Sequence, residues 1–153
     1  MQLTRQGDYA VRAVLDLAIR DLYEGPGTLQ ASQQVAQRQG IPKAFLNKII
    51  QALVRAGILE TLRGAMGGIR LARPAKEITL RHIIEAVEGT IALNRCLIGP
   101  LSCDRMEGCP VHPIWIRAQE AFLRELEQVT LEDIARQVAG VPEAKASEAS
   151  LEL

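Results

Sequence analysis

The sequence of 153 residues predicts a mainly α-helical protein that carries one small β-hairpin. Apolar residues recur every three or four positions in most segments, which is typical of amphipathic helices. Partial alternation of apolar and polar residues is confined to two short segments between positions 58 and 73. The length suits one compact core with an added helix for self-association, and we divide the chain into residues 1–76, 77–141 and 142–153.

Three helices are predicted in the first half of the chain. Residues 3–22 form a long helical pattern with Thr4 as its N-cap, and residues 29–38 form a shorter one that stops at Gly40. The third pattern, residues 42–57, begins at a proline that suits a first helical turn and ends at a glycine. A short helix, a tight turn and a longer helix form the helix-turn-helix pattern.

A β-hairpin is predicted directly after the third helix. Its arms, residues 58–63 and 68–73, are separated by the segment GAMG. The arms carry Arg63, Arg70 and Arg73, and arginines in these places suit a ribbon that lies along a DNA backbone or reaches into a minor groove. The hairpin therefore completes a winged helix-turn-helix.

The second half of the chain is predicted to hold further helices around an irregular loop. Residues 79–87 form a fourth helical pattern, whereas residues 91–112 show no sustained period. Residues 113–128 form a long helix that is expected to pair with a second copy of the chain through a continuous apolar stripe of Trp115, Ala118, Phe122 and Leu126. A short helix is predicted at 130–138, and the tail at 142–153, rich in Ala, Ser and Glu, is predicted to be disordered.

The charge is divided between the two halves, although the formal net charge is zero. Residues 1–76 hold eleven Lys or Arg against five Asp or Glu, and residues 77–153 hold seven against thirteen. A basic region around a helix-turn-helix predicts a surface that faces phosphates, although a solvated basic face without a partner would have the same composition. We expect the partner to be double-stranded DNA.

The third helix provides the base-reading candidates. Lys43, Asn47 and Lys48 fall on the face opposite its apolar stripe. Asn can form paired hydrogen bonds with adenine and Lys can reach guanine, but ordinary solvent-facing residues would occupy the same positions. The full set of predicted DNA-contacting residues is Thr4, Tyr9, Lys43, Ala44, Asn47, Lys48, Arg63 and Arg70.

All three cysteines of the chain lie within fourteen residues of the irregular loop, and a histidine follows them. Three thiols cannot all pair within one chain, which leaves metal binding, redox-sensing thiols or inert packing. The gaps between Cys96, Cys103 and Cys109 are six and five residues, wider than the pairs typical of zinc, and favour an iron–sulfur cluster. His112 and Asp8 are alternative fourth ligands, and either could instead be an ordinary residue at the start of a helix.

Several classes of protein are disfavoured by the sequence. No segment approaches the roughly 18 consecutive apolar residues of a membrane span, and the charged N-terminus does not resemble a secretory signal, so we expect a cytoplasmic protein without a membrane partner. No Cys-x-x-Cys pair or βαβ pattern supports a thiol oxidoreductase, and we expect no enzymatic activity. The pattern is also compatible with a cluster-free regulator whose thiols sense oxidants and with a zinc-stapled interaction module.

Four segments together resemble the Rrf2 family of winged-helix regulators over most of the chain. They are LTRQGDYAVRA, GIPKAFLNKIIQAL, RGAMGGIRLAR and the loop C-x6-C-x5-CPVH. The family includes a regulator of iron–sulfur cluster assembly, a nitric-oxide-sensing repressor and an iron-responsive regulator, alongside relatives without the cysteines. The resemblance implies a homodimer paired through residues 113–128 that binds a palindromic operator, with Cys96, Cys103 and Cys109 as cluster ligands.

The resemblance leaves the fourth ligand and the cluster type open. The assembly regulator has five residues in both gaps, whereas the first gap here has six. That regulator uses a histidine three positions after its last cysteine, and His112 stands there. The nitric-oxide-sensing branch can use an acidic side chain near the N-terminus of the other protomer, and Asp8 stands there. The expected cofactor is therefore a 2Fe-2S or 4Fe-4S cluster, and the expected function is repression that responds to redox state, nitric oxide or iron–sulfur status.

Overall fold

The computed structural model describes residues 2–140, and the mainly α-helical class with one β-hairpin is confirmed. The predicted disordered tail at 142–153 lies outside the described residues. The elements in chain order are α1 (Arg5–Glu24), α2 (Ser32–Gln39), α3 (Lys43–Arg55), β1 (Leu59–Leu62), β2 (Gly68–Leu71), α4 (Leu80–Glu88), α5 (His112–Gln128) and α6 (Leu131–Ala139). Single turns of 3₁₀ helix occur at Ala75–Glu77 and Arg95–Leu97.

Helix α1 lies at the centre of the core and packs against α2, α3, α4 and α6. Its predicted N-cap is confirmed, because the Thr4 hydroxyl accepts a hydrogen bond from the backbone N–H of Gly7 at 3.2 Å. The largest side chains buried in this core are Leu17, Leu46, Ile49, Leu53, Ile58, Leu59, Ile78, Ile83, Leu131, Val14 and Val35. Helix α3 and the strands thus share one core with α1, which fixes the helix-turn-helix and the hairpin as one unit.

The hairpin, which we call the wing (residues 59–71), is hydrogen-bonded to the segment that precedes α2. Strands β1 and β2 pair antiparallel, and Ile69 of β2 also exchanges backbone hydrogen bonds with Gln30 at 2.8 and 2.9 Å. A side chain at position 68 would collide with the backbone of Gln30, so glycine is required there. This bridge also explains why α2 begins at Ser32 and not near position 29 as predicted, because residue 30 is held in extended conformation.

A buried ion pair connects α1 to α2 and to the base of the wing. Asp16 of α1 is only 6% exposed and accepts hydrogen bonds from Arg38 Nε and Nη2 at 3.1 and 2.7 Å. Arg38 also donates to the side chain of Gln30, and Gln39 donates to Asp16. The hydrogen bonds to Asp16 raise the pKa of Arg38 above its ordinary value. The arrangement satisfies a buried carboxylate and fixes α2 on α1.

The later helices are anchored by paired caps. Thr79 and Thr130 begin α4 and α6 with capping boxes, and their backbones form an antiparallel bridge. Leu131 then enters the core of the first helices and is fully buried. Within residues 2–140, no helix is both long and apolar enough to cross a membrane.

We predict that Asp16→Ala lowers the free energy of unfolding by about 2 kcal/mol, because it leaves the half-buried guanidinium of Arg38 without its partner. Urea unfolding at a fixed protein concentration measures the change. The control is Arg136→Ala, which breaks the exposed pair of Arg136 with Glu132 and should change stability by less than about 0.5 kcal/mol. Equal effects of the two substitutions would contradict the structural role of Asp16.

Candidate nucleic-acid interface and cysteine loop

Helix α3 presents a polar face to solvent. Lys43, Ala44, Asn47 and Lys48 are all exposed, as expected for residues that read DNA. The opposite face is formed by the buried residues Leu46, Ile49, Ile50, Ala52 and Leu53. Gln51 lies one turn beyond Asn47 and is also exposed, and the prediction missed it although its spacing of four residues places it on the same face. Contact of these side chains with DNA stays a prediction.

An aromatic contact sets the position of α3 relative to α1. The rings of Tyr9 and Phe45 meet edge to face with centroids 5.8 Å apart and an interplanar angle of 78°. The guanidinium of Arg12 lies over the Tyr9 ring at 4.9 Å and donates to the backbone of Gln39 at 3.0 Å. Phe45 belongs to the predicted apolar stripe of α3, but it is 44% exposed and packs on the half-buried Tyr9 at the edge of the core. Tyr9, a predicted DNA contact, therefore also supports the helix that carries the polar face.

The two predicted arginines of the wing lie in different environments. Arg70 pairs with Glu60 across the strands, with Nε and Oε1 at 2.6 Å, so its guanidinium is held along the hairpin. Arg63 follows β1 at the turn and is exposed. Since Glu60 offsets the charge of Arg70, Arg63 is the stronger candidate for a phosphate contact.

A groove of about 440 Å³ separates the wing from α2 and α3. Asn47 lines it on one side, Thr61 and Gly64 of the wing on another, and Ser32 and Gln33 at the start of α2. No side chain in residues 2–140 caps the N-terminus of α2, so its first backbone N–H groups are available for an external acceptor. Sequence reasoning missed Ser32, Gln33 and Thr61, since their position on the groove depends on how the wing packs.

The predicted DNA contact Thr4 has a second role in the structure. Its hydroxyl and its backbone N–H both donate to Oε1 of Glu88, the last residue of α4, and the N–H distance is 3.0 Å. A side chain at position 7 would collide with Glu88, so Gly7 lets this carboxylate lie against the first turn of α1. A negative charge at a helix N-terminus is favourable. We call this contact between Thr4, Gly7 and Glu88 the α1–α4 latch.

The cysteine loop, residues 94–112, is built from consecutive turns. The backbone N–H groups of Met106, Cys109 and His112 donate to the carbonyls of Cys103, Met106 and Cys109, respectively, at 3.3–3.4 Å. Cys96 lies in the short 3₁₀ turn at the start of the loop. All three cysteines are half-buried, and all three are free thiols. These turns lead the chain from Cys103 to His112 without regular secondary structure. The three thiols are the chemically reactive groups of this loop.

The two candidate fourth ligands differ in what they already contact. His112 is the first residue of α5, and its Nδ1 is buried without a hydrogen-bond partner among the described residues. Asp8 is exposed on α1 and pairs with Arg12 at 3.2 Å. Three thiols and such an imidazole nitrogen have the chemistry of iron–sulfur ligands. Among residues 2–140, however, no three Cys, His, Asp or Glu side chains are gathered closely enough to hold a single metal ion.

A side-chain amide ties the entrance of the cysteine loop to α5. Gln119 accepts a hydrogen bond from the backbone N–H of Leu93 at 2.8 Å and donates to the carbonyl of Ile91 at 2.9 Å. This segment connects Glu88 of the α1–α4 latch to Cys96. We call the contact of Gln119 with Ile91 and Leu93 the Gln119 clasp. A continuous set of contacts therefore leads from the cysteine loop to the N-terminus of α1.

Helix α5 contributes no buried residue to the described chain, although it is 17 residues long. Ile114, Ala118 and Ala121 are exposed and follow one another at spacings of four and three residues. Alternating spacings of three and four residues are typical of the face along which two helices pack, and small side chains let the helices approach closely. We call Ile114, Ala118 and Ala121 the seam. Of the predicted apolar stripe, Trp115, Ala118 and Phe122 are exposed and Leu126 is half-buried. Within residues 2–140, the seam is therefore an apolar helix face without a partner.

Comparison with known proteins gives a consistent result. The family model Rrf2, described as an iron-dependent transcriptional regulator, matches residues 3–137. Protein aau3 of Rhizobium meliloti is 35% identical over 137 residues, which cover 89% of this chain and 86% of the relative. The HTH-type transcriptional regulator IscR of Pectobacterium atrosepticum is 33% identical over 134 residues, which cover 88% of this chain and 79% of the relative.

Solved structures share the fold. The structure of IscR from T. potens has a TM-score of 0.71 and 26% identity, and the match covers 96% of both chains. The oxidized form of CymR from Staphylococcus aureus has a TM-score of 0.66 and 27% identity, and the match covers 88% of this chain and 96% of that chain. The winged-helix arrangement predicted from the sequence is therefore that of solved regulators.

We predict that Lys48→Ala and Arg63→Ala each weaken binding to random duplexes and lower the slope of log affinity against log salt by about one, because each removes one positive charge from the predicted DNA-facing surface. Titrations of labelled duplex at several salt concentrations measure the slope. Arg136→Ala on α6, where the arginine pairs with Glu132, is the charge-matched control and should leave the slope unchanged. An unchanged slope for both Lys48→Ala and Arg63→Ala would place the phosphate-binding surface elsewhere.

Proposed function

The chain belongs to the Rrf2 family of transcriptional regulators, and on this basis we propose that it is a homodimeric, operator-binding repressor controlled by an iron–sulfur cluster. Cys96, Cys103 and Cys109 are the proposed ligands. The observation that carries the proposal is the set of three half-buried free thiols in one turn-built loop, followed by a buried imidazole nitrogen without a partner in residues 2–140. Such a donor set matches the ligands of iron–sulfur sites.

The proposed DNA interface consists of the polar face of α3 and the wing. Lys43, Asn47 and Lys48 would enter a major groove, and Arg63 would contact the adjacent backbone. The groove between wing and α3 is open to solvent, and the surrounding half of the chain is basic. A regulator of this design reads about three or four bases through one helix, so a second copy is needed for a long operator.

The proposed dimer pairs through α5. Its exposed seam of Ile114, Ala118 and Ala121 has no partner within the described chain. A two-fold axis through this seam would present two recognition helices to two half-sites. The proposed operator is therefore palindromic.

His112 is the proposed fourth ligand in preference to Asp8. The Nδ1 of His112 is buried and has no partner in the part of the chain that the structure describes, whereas the carboxylate of Asp8 already pairs with Arg12 on the surface of α1. A buried nitrogen without a hydrogen bond is unfavourable, and coordination would remove that cost. A bound cluster would supply a redox-active centre at this loop.

The contacts of the loop give a route by which its conformation can affect DNA binding. Any rearrangement around Cys96 moves the preceding segment, which the Gln119 clasp holds on α5. The same segment begins at Glu88, which holds the first turn of α1 through Thr4. Helix α1 in turn supports α3 through the contact of Tyr9 with Phe45. The loop is therefore mechanically connected to both the dimer helix and the recognition helix.

The second candidate is a regulator in which the same thiols sense oxidants without a cluster. Two observations favour it: the thiols are free and half-buried, and the chain resembles a solved CymR that is described as an oxidized form. Under this proposal a reversible disulfide would form in metal-free protein. DNA binding and the dimer are common to both candidates.

The cluster is tested by purifying the protein without oxygen and measuring iron, acid-labile sulfide and the visible spectrum. We expect iron and sulfide in near-equal amounts, and Cys103→Ala should abolish the visible band and change operator affinity. Colourless wild-type protein after reconstitution with iron and sulfide, together with a reversible disulfide, would favour the cluster-free candidate.

The fourth ligand is tested in the same series of measurements. His112→Ala should lower the retained iron, and Asp8→Ala should not, because only the His112 nitrogen is proposed to coordinate the cluster. His82→Gln, at the only other histidine of the sequence, is the matched control. The opposite order of effects would assign the ligand to Asp8.

We predict that Gln119→Ala leaves iron content and visible spectrum unchanged but reduces the ratio of operator affinities between cluster-loaded and cluster-free protein. A loss of roughly 2- to 30-fold in this ratio corresponds to the coupling changes seen when connecting contacts are removed. The reason is that the segment before Cys96 is no longer held on α5. Gln128→Ala, at the exposed end of α5, is the control. A wild-type ratio in Gln119→Ala would exclude the clasp from the coupling.

A further inference from the structure

The tip of the wing carries an exposed apolar side chain. Met66 is 89% exposed, and only Leu101 exceeds it among the exposed large apolar residues of the described chain. Isolated exposed apolar residues are common on protein surfaces and need no special explanation. Met66 differs because of its surroundings, which are those of the proposed DNA interface.

The turn that carries Met66 has a fixed geometry. The backbone N–H of Gly67 donates to the carbonyl of Gly64 at 3.0 Å, which closes a four-residue turn with Ala65 and Met66 at its two central positions. A side chain at position 67 would collide with the backbone of Leu62, and Gly64 has a φ of +107°, so glycine is needed at both places. The methionine is thus presented by a closed turn, so little backbone conformational entropy is lost when it is inserted into a partner.

The base of the wing is fixed to the helix-turn-helix. Backbone hydrogen bonds between Ile69 and Gln30 hold β2 against the start of α2, and Arg38 and Asp16 continue this support into α1. Gly64 and Ala65 of the tip line the same groove as Asn47 of the recognition helix. When α3 lies in a major groove, the tip would therefore lie beside the same stretch of duplex, within reach of the neighbouring minor groove.

We propose that Met66 is a wedge that inserts between base pairs in the minor groove below the wing and makes operator choice depend on how easily that step unstacks. Apolar side chains, including methionine, unstack and kink DNA when a protein presents them to the minor groove. Arg63, at the same end of the wing, would contact the phosphates beside that groove. The step that is favoured is a flexible pyrimidine–purine step. This inference rests on the proposed DNA binding.

The test uses the full-length wild-type protein and an operator obtained by selection from random duplexes. The fluorescent base analogue 2-aminopurine is placed in turn at each step below the wing, and end-to-end energy transfer measures the bend. We expect wild-type protein to raise the fluorescence at one step in each half-site and to bend the duplex. Met66→Ala should lose both signals and bind about tenfold more weakly. It should also no longer prefer a flexible TA or CA step over a purine–pyrimidine step at this place.

The controls separate a wedge from a charge or stability effect. Because no charge is removed, Met66→Ala should keep the wild-type salt slope, whereas Arg63→Ala should lower it by about one. The melting temperature of Met66→Ala should equal that of wild type, since the side chain is exposed. Tyr23→Ala, an exposed residue at the end of α1, is the matched control and should bind and bend as wild type does.

Two outcomes would overturn the inference, and they are distinguishable. Wild-type affinity, fluorescence and bending in Met66→Ala, with a changed salt slope in Arg63→Ala, would show that the protein binds DNA without the wedge. Failure of the wild-type protein to select any duplex, with no effect of Lys48→Ala or Arg63→Ala on binding to random DNA, would overturn the proposed DNA binding and the wedge with it.

Discussion

The structure depends on the burial of α1 on several sides at once. Helices α2, α3, α4 and α6 all pack against it, and its own side chains, such as Val14 and Leu17, are fully buried between them. A helix in this position cannot shift without moving its neighbours, because protein interiors are close-packed. It even buries a carboxylate, that of Asp16, which in turn requires the guanidinium of Arg38. The recognition helix and the wing take their positions from this arrangement.

The N-terminus and the middle of α1 have different roles. At its N-terminus the helix is held by Glu88, which leads through a short segment to the cysteine loop and α5. In its middle it supports α2 and the base of the wing through Asp16, Arg38 and Gln30. The segment that precedes the cysteine loop therefore reaches α1 at its first turn, through Thr4. The solved structures of IscR and CymR share this fold.

The cysteine loop differs from the rest of the chain in how it is stabilised. It is held by successive short turns, by the Gln119 clasp and by its attachment to α5, and Cys96, Cys103 and Cys109 contribute nothing to the buried core of the described residues. Such a segment can be rearranged at a low cost in global stability. That property suits either a cluster or a thiol switch. The Nδ1 of His112, which has no partner among residues 2–140, is the feature that favours the cluster.

Local periodicity and capping chemistry were enough to predict the fold class, the order of the elements, the caps at Thr4 and Thr79 and the exposed polar face of α3. The amino-acid sequence also singled out the three cysteines and both candidate ligands. Features that depend on distant residues could be found only in the folded chain. The start of α2 follows from the pairing of Gln30 with Ile69, and the partly exposed position of Phe45 beside Tyr9 depends on how α3 packs on α1. The same holds for Glu88 and Gln119, which no motif marks, because their contacts join residues 84, 26 and 28 positions apart along the chain.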